Sequence, residues 1–110
     1  MEEEKKTTGK DQSSGTGPVL VAEPSNTTVV LGKTVHLSCT ATGIPTPRVV
    51  WQNKLTGRVR TNHALGVVVE DGGLKWEAVR NEDEGWYRCA ARSTAGVQHS
   101  PWVYLNVLGE

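Results

Sequence analysis

The chain predicts an all-β sandwich, and three observations carry that prediction. Beyond Pro18 the apolar residues recur with period two rather than 3.6. They fall into short runs separated by Gly, Pro, Asn and Asp. No stretch has the length or periodicity of a long helix, and no segment repeats another.

Taken in order, residues 1–17 hold no aliphatic or aromatic side chain beyond Met1 and are rich in Ser, Thr, Gly, Lys and Glu. Such a segment buries too little to offset its ordering entropy, so 1–17 is expected to be a disordered polar head or linker and 18–110 the folded domain. Residues 19–21 and 27–31 read as a split first strand, with Glu23-Pro24-Ser25 as the break that lets the chain change sheets. Gly32 supplies the turn into a strand whose Val35, Leu37 and Cys39 share one face while His36 and Ser38 point away. Gly43-Ile44-Pro45-Thr46-Pro47 is expected to be a loop, because its prolines cannot donate to a central ladder. In the next strand Val49 and Trp51 face inward. Leu74, Trp76 and Val79 keep core spacing into a turn near Asn81, where Asn81 is the expected cap and the acidic residues sit at the positive end. Tyr87, Cys89 and Ala91 alternate inward, Thr94-Ala95-Gly96 reads as a hairpin, and Val103, Leu105 and Val107 close the core.

Composition narrows the function. Twelve basic and twelve acidic residues cancel, which removes the overall field that draws a chain to nucleic acid or an anionic membrane. No apolar run approaches the ~20 residues that span a bilayer, so direct membrane insertion is not expected. The start Met-Glu-Glu-Glu-Lys-Lys lacks the apolar stretch of a signal peptide, and the chain reads as a piece of a larger exported protein. Oxidation to one bridge is the simplest use of the only two cysteines, Cys39 and Cys89, and a loop of about fifty residues so closed is worth roughly 4 kcal/mol in the chain-entropy model. A persistent bridge belongs outside the cell or in a lumen, whereas a reduced, buried pair suits a cytosolic sandwich.

The residues together resemble the intermediate set of the immunoglobulin superfamily, from about Val19 to Val107. The resemblance rests on Gly32-Lys33-Thr34-Val35, Cys39, Gly43-Ile44-Pro45-Thr46-Pro47, Trp51, Leu74-Lys75-Trp76, Val79, Asp83 to Cys89, Ala91, Gly96 and Leu105-Asn106-Val107. It implies an immunoglobulin-like β-sandwich of two antiparallel sheets joined by a Cys39–Cys89 disulfide. Trp51 would pack on the bridge, Tyr87 would tie its hydroxyl to backbone upstream, and Asp83 and Gly85 would shape the turn before its strand. Two positions depart from the family. Trp76 stands where a medium aliphatic residue is usual, so the core must admit an indole. Ser93 stands where asparagine is frequent. Similar modules occur in adhesion molecules, in receptor tyrosine kinase ectodomains and in matrix proteins. The resemblance therefore implies extracellular recognition of a protein ligand or a homophilic copy beside neighbouring domains, and the alternative is a spacer in a muscle-type cytoskeletal chain.

Catalytic patterns are missing: there is no Gly-x-Ser-x-Gly, no His-Glu-x-x-His, no phosphate-cradling glycine loop and no second cysteine pair. No enzyme activity, cofactor or metal is expected, and His36, His63 and His99 read as surface residues. By alternation Val50, Gln52, Trp86, Arg88, Trp102 and Tyr104 share one outward face. Aromatic residues with arginine mark interface hot spots, so this face is the candidate partner site, with a purely stabilising Trp86–Trp102 cross-strand pair as the alternative. Arg48, Lys54, Arg58 and Arg60, flanked by His63, form a basic group suited to a sulfated glycan or to edge protection. Asn26-Thr27-Thr28 is an N-glycosylation acceptor.

Overall fold

The computed structural model describes residues 15–109. Among these residues the strands are β1 (Thr16–Ala22), β2 (Thr27–Val30), β3 (Val35–Leu37), β4 (Thr40–Ile44), β5 (Arg48–Asn53), β6 (Gly57–Arg58), β7 (Val67–Glu70), β8 (Gly73–Trp76), β9 (Gly85–Ser93), β10 (Gly96–His99) and β11 (Val103–Leu108). Two short 3-10 turns, His63–Leu65 and Asn81–Asp83, interrupt them. One layer has the strand order β2-β11-β9-β5-β6, with β10 also paired to β9. The other layer is in two pieces, β1-β4 and β3-β8-β7, because the ladder stops at Ser38 and Cys39 between β3 and β4.

The layers are pinned by the Cys39–Cys89 disulfide, whose Cα atoms are 6.5 Å apart. Leu37, Trp51, Leu74, Trp76, Val79, Tyr87 and Leu105 surround it, each no more than 4% exposed. These are the inward positions read from alternation, while His36 and Ser38 are exposed as expected. Trp51 lies directly across from Cys89 on the neighbouring strand, and its indole N–H donates to the Gly72 carbonyl at 2.8 Å. That carbonyl is placed by the β7–β8 hairpin, whose two loop residues Asp71 (φ 54°) and Gly72 (φ 81°) are both left-handed, the geometry that matches strand twist. The next residue, Gly73, lets β8 pass close to β3, since a Cβ there would lie 2.5 Å from His36 Nε2. The indole of Trp76 is accommodated edge-on against Tyr87, with centroids 5.2 Å apart at 75°.

Three features differ from the expectations. First, the sheets are not wholly antiparallel: β2 runs parallel to β11, because after the break at residues 23–25 the chain crosses layers and travels alongside the last strand. Second, Gly43 and Ile44 belong to β4 rather than to a loop, since β1 begins at Thr16 and offers Ile44 a partner there; the loop shrinks to residues 45–47. The folded part thus starts before Pro18, while the remainder of the expected polar head, residues 1–14, lies outside the described residues. Third, the cap of the Asn81–Asp83 turn is Arg80 rather than Asn81, because the Asp83 carboxylate reaches back to accept the Arg80 backbone N–H at 2.8 Å.

That turn anchors the tyrosine expected to bond upstream. The Tyr87 hydroxyl donates to the Asp83 carbonyl at 2.6 Å, and burial, followed by the nearby Asp83 charge against a lowering bond to Asn53, pushes its pKa up to about 12. A tyrosine whose pKa is raised on folding contributes stability that is complete below its unfolded value near 10 and is lost as pH rises toward about 12. Denaturant titrations should therefore show the protein losing on the order of 2 kcal/mol across that window. Tyr87→Phe should remove most of this alkaline slope while lowering neutral stability by about 1 kcal/mol for the missing bond. An unchanged slope in the variant would assign the alkaline loss to another group.

Candidate functional site

The outward face of the β2-β11-β9-β5-β6 layer gathers most of the side chains expected to meet a partner. Trp86 and Tyr104 are direct strand neighbours and pack edge to face, with centroids 5.0 Å apart at 67°. Such a pair is worth about 0.5–1.5 kcal/mol beyond its buried area. Arg88 lies opposite Gln52, donates its Nε–H to Gln52 Oε1 at 2.7 Å, and stacks its guanidinium 4.4 Å from the Trp102 ring centre. Trp86 remains 44% exposed at the centre of this group.

Trp102 continues the alternation of β11 outward, with Val103 buried between it and Tyr104. It precedes β11, in an irregular step that breaks the strand after β10. Ser100 fixes that step: it is buried, its N–H donates to the Cys89 carbonyl at 2.9 Å, and its Oγ accepts from the Cys89 N–H at 3.0 Å. The strand partner of Trp86 is Tyr104, and the alternative of a Trp86–Trp102 cross-strand pair is not formed. A cation joins the two tryptophans instead. Lys54 Nζ stands 5.7 Å from both ring centres, within the range where an ammonium is attracted by the ring quadrupole. Lys54 is thus placed with the aromatic residues and not with the basic group in which the sequence put it. The turn that presents it is held by Asn53, whose Oδ1 accepts from the N–H groups of Leu55 (2.8 Å) and Thr56 (3.2 Å), and by the Lys54 N–H bonded to the Trp86 carbonyl at 3.0 Å.

Two further side chains stiffen the face. Glu84 accepts from the Tyr104 hydroxyl at 2.6 Å and from the Val107 N–H at 2.9 Å. These bonds, in that order, hold its carboxyl below the usual carboxylate range, and the same Glu84 bond raises the Tyr104 phenol. Asn26, exposed at the entry to β2, accepts the Tyr104 N–H on its Oδ1 at 2.8 Å. The acceptor tripeptide therefore also fastens the edge of the face.

The basic group is divided by the fold. Arg48 and Arg58 line an open groove with Val50, Gln52 and Arg92, so Val50 belongs to this groove rather than to the aromatic cluster. Arg60 does not line that groove; it shares with Arg58 and Val50 an adjoining depression that also takes in Val59, Thr61 and Val69. His63 sits in the first 3-10 turn. Arg92 went unnoticed in the sequence; its place follows from pairing opposite Arg48 across β9 and β5. Among the described residues no three His, Cys, Asp or Glu side chains gather as a metal ion requires. No helix among them is long and apolar enough to cross a membrane.

Two layers pinned by a bridge, an indole beside that bridge and a tyrosine bonded back to the preceding turn define an immunoglobulin-type sandwich. Comparison with known proteins agrees, and the chain belongs to the immunoglobulin domain family, whose model matches residues 17–93. It is 33% identical over 93 residues to the peroxidasin homolog of Mus musculus, covering 84% of this chain and 6% of that protein. It is 33% identical over 97 residues to the tyrosine-protein phosphatase Lar of Drosophila melanogaster, covering 88% of this chain and 5% of that protein. The chain thus spans a small fraction of the length of these relatives. Among solved structures, the N-terminal Ig1-2 module of the Drosophila receptor protein tyrosine phosphatase DLAR superposes with a TM-score of 0.79 at 31% identity, covering 94% of this chain and 51% of that one. A chain of the titin M10–obscurin-like 1 Ig mutant complex gives 0.77 at 29% identity, covering 88% and 98%.

Proposed function

We propose that this domain is an intermediate-set, extracellular protein-recognition module that binds through the sheet face built by Trp86, Arg88, Trp102 and Tyr104 with Lys54. The observation that carries the reading is the set of bonds and stacking contacts that holds these five side chains in place before any partner arrives. Preorganised aromatic and arginine side chains lose little entropy on binding, which is why they recur as hot spots. The similarity to a receptor phosphatase module supports a cell-surface setting, and the bridge supports an oxidising compartment. Recognition rather than catalysis is the proposal for this domain, whatever domains accompany it in a longer chain. Asn26 is the proposed N-glycosylation site, and a glycan there would stand at the rim of the face beside Tyr104.

The similarity to a titin-complex chain favours a second reading, a spacer in a muscle-type cytoskeletal protein. The test uses protein secreted from eukaryotic cells, whose intact mass with and without reductant reports the bridge and the Asn26 glycan. A panel of cell-surface ectodomains, together with this chain itself, is then screened for binding. Trp86→Ser combined with Trp102→Ser should weaken any interaction found at least tenfold, a loss of about 1.4 kcal/mol, without altering the fold by circular dichroism. Free thiols, no glycan and binding indifferent to both replacements would favour the spacer.

A further inference from the structure

The face that carries the tryptophans is charged in a way the neutral composition conceals. Arg48, Lys54, Arg58, Arg88 and Arg92 all lie on it or line its groove. Its nearby carboxylate, Glu84, is already committed to the Tyr104 hydroxyl and the Val107 N–H. The ion pairs among the described residues belong to Lys75, with Glu70 and Glu77, and to Arg80, with Glu82 and Asp83. None of the five cations of the face has a carboxylate partner among them.

One placement works against folding. Arg48 and Arg92 are direct partners across β5 and β9, and like charges directly opposite on neighbouring strands repel. Arg58 joins them in the same groove, whose floor includes the half-buried Val50. The positive field is felt nearby: after burial, Arg88 and Arg92 are the causes that lower the pKa of His99.

From this arrangement we infer that the face receives an acidic segment of a partner protein, with its carboxylates seated on Arg48, Arg58 and Arg92 and its apolar side chains against Trp86 and Val50. The inference rests on the recognition reading above and adds the partner's chemistry to it. Guanidinium groups bind carboxylates in bidentate fashion, and opposed arginines that destabilise the free domain are relieved when an anion lies between them. An apolar contribution distinguishes this occupant from a sulfated glycan, which would engage the arginines but leave the exposed indole and the valine floor without a partner.

The probe is a synthetic peptide of alternating glutamate and leucine, compared by fluorescence anisotropy with its glutamine counterpart and with a heparin-derived oligosaccharide. The account expects the glutamate peptide to bind, to weaken as salt is raised, and to lose at least about tenfold in affinity on Arg48→Gln with Arg92→Gln. The same double variant should unfold at an equal or higher temperature, because it removes a repulsion, so lost binding cannot be blamed on lost structure. Absence of binding by either peptide, or an oligosaccharide held more tightly than the glutamate peptide through the same arginines, overturns the inference. Equal binding of both peptides that still disappears on Trp86→Ser with Trp102→Ser also overturns it, yet leaves the recognition reading standing.

Discussion

Replacing Cys39 and Cys89 together with alanine should lower the stability of the domain by about 4 kcal/mol, the largest effect of any pair of substitutions considered. The bridge spans 50 positions, and cross-linking so distant a pair removes much of the conformational freedom of the unfolded chain. A single-domain protein has only about 5–15 kcal/mol in hand, so the variant should be marginal at room temperature. Urea titrations should show a lower midpoint and also a steeper slope, because an unfolded chain without the bridge expands and exposes more surface. Both half-cystines are fully buried beside Trp51 and Leu37, so alanine also leaves small voids. A loss of less than about 1 kcal/mol would mean that the reduced chain is already well packed, as the cytoskeletal reading requires.

The second large effect is expected at Trp51. Its indole is 2% exposed, stands across from Cys89, and satisfies the carbonyl of Gly72 in the β7–β8 hairpin on the opposite layer. Trp51→Ala should cost about 3–5 kcal/mol through the cavity it opens. Trp51→Phe separates packing from hydrogen bonding: it keeps most of the ring and should cost about 1–2 kcal/mol, mainly for the carbonyl left without its donor. Thermal unfolding resolves the two, because 1 kcal/mol corresponds to about 4–8 °C in a domain of this size. If phenylalanine proved as damaging as alanine, the bond to Gly72, rather than the filled volume, would be holding the layers in register.

The interior was largely legible in the sequence, because alternation is a local property. Val35, Leu37 and Cys39, then Tyr87, Cys89 and Ala91, then Val103, Leu105 and Val107 each announce an inward face by spacing alone, and each is buried. The bond from Tyr87 back to the Asp83 carbonyl was expected from the family resemblance, which placed the acceptor upstream without naming it. The Asp71-Gly72 dipeptide between apolar runs is a hairpin signal that went unread, and the β7 strand it joins to β8 was missed with it. What alternation could not supply is long-range register. The opposition of Arg48 and Arg92 depends on how β5 and β9 meet, and the parallel run of β2 beside β11 depends on where the chain crosses between layers. At the candidate site, Trp86, Arg88 and Tyr104 were readable as outward strand positions. Trp102 was readable in the same way, whereas Lys54 arrives through a turn folded back by Asn53, which no period supplies. Asn81 illustrates a smaller limit, for the cap falls one residue earlier, at Arg80, whose backbone N–H is taken by the Asp83 carboxylate from inside the turn.

The central claim is that binding occurs on the outward sheet face. It is tested most directly by measuring amide hydrogen exchange of the secreted, disulfide-bonded domain with and without a partner recovered from the ectodomain screen. The account predicts added protection along residues 48–54, 86–92 and 102–104, with residues 67–76 of the opposite layer unchanged. Protection confined to that opposite layer, or to the β1–β4 edge, would contradict it.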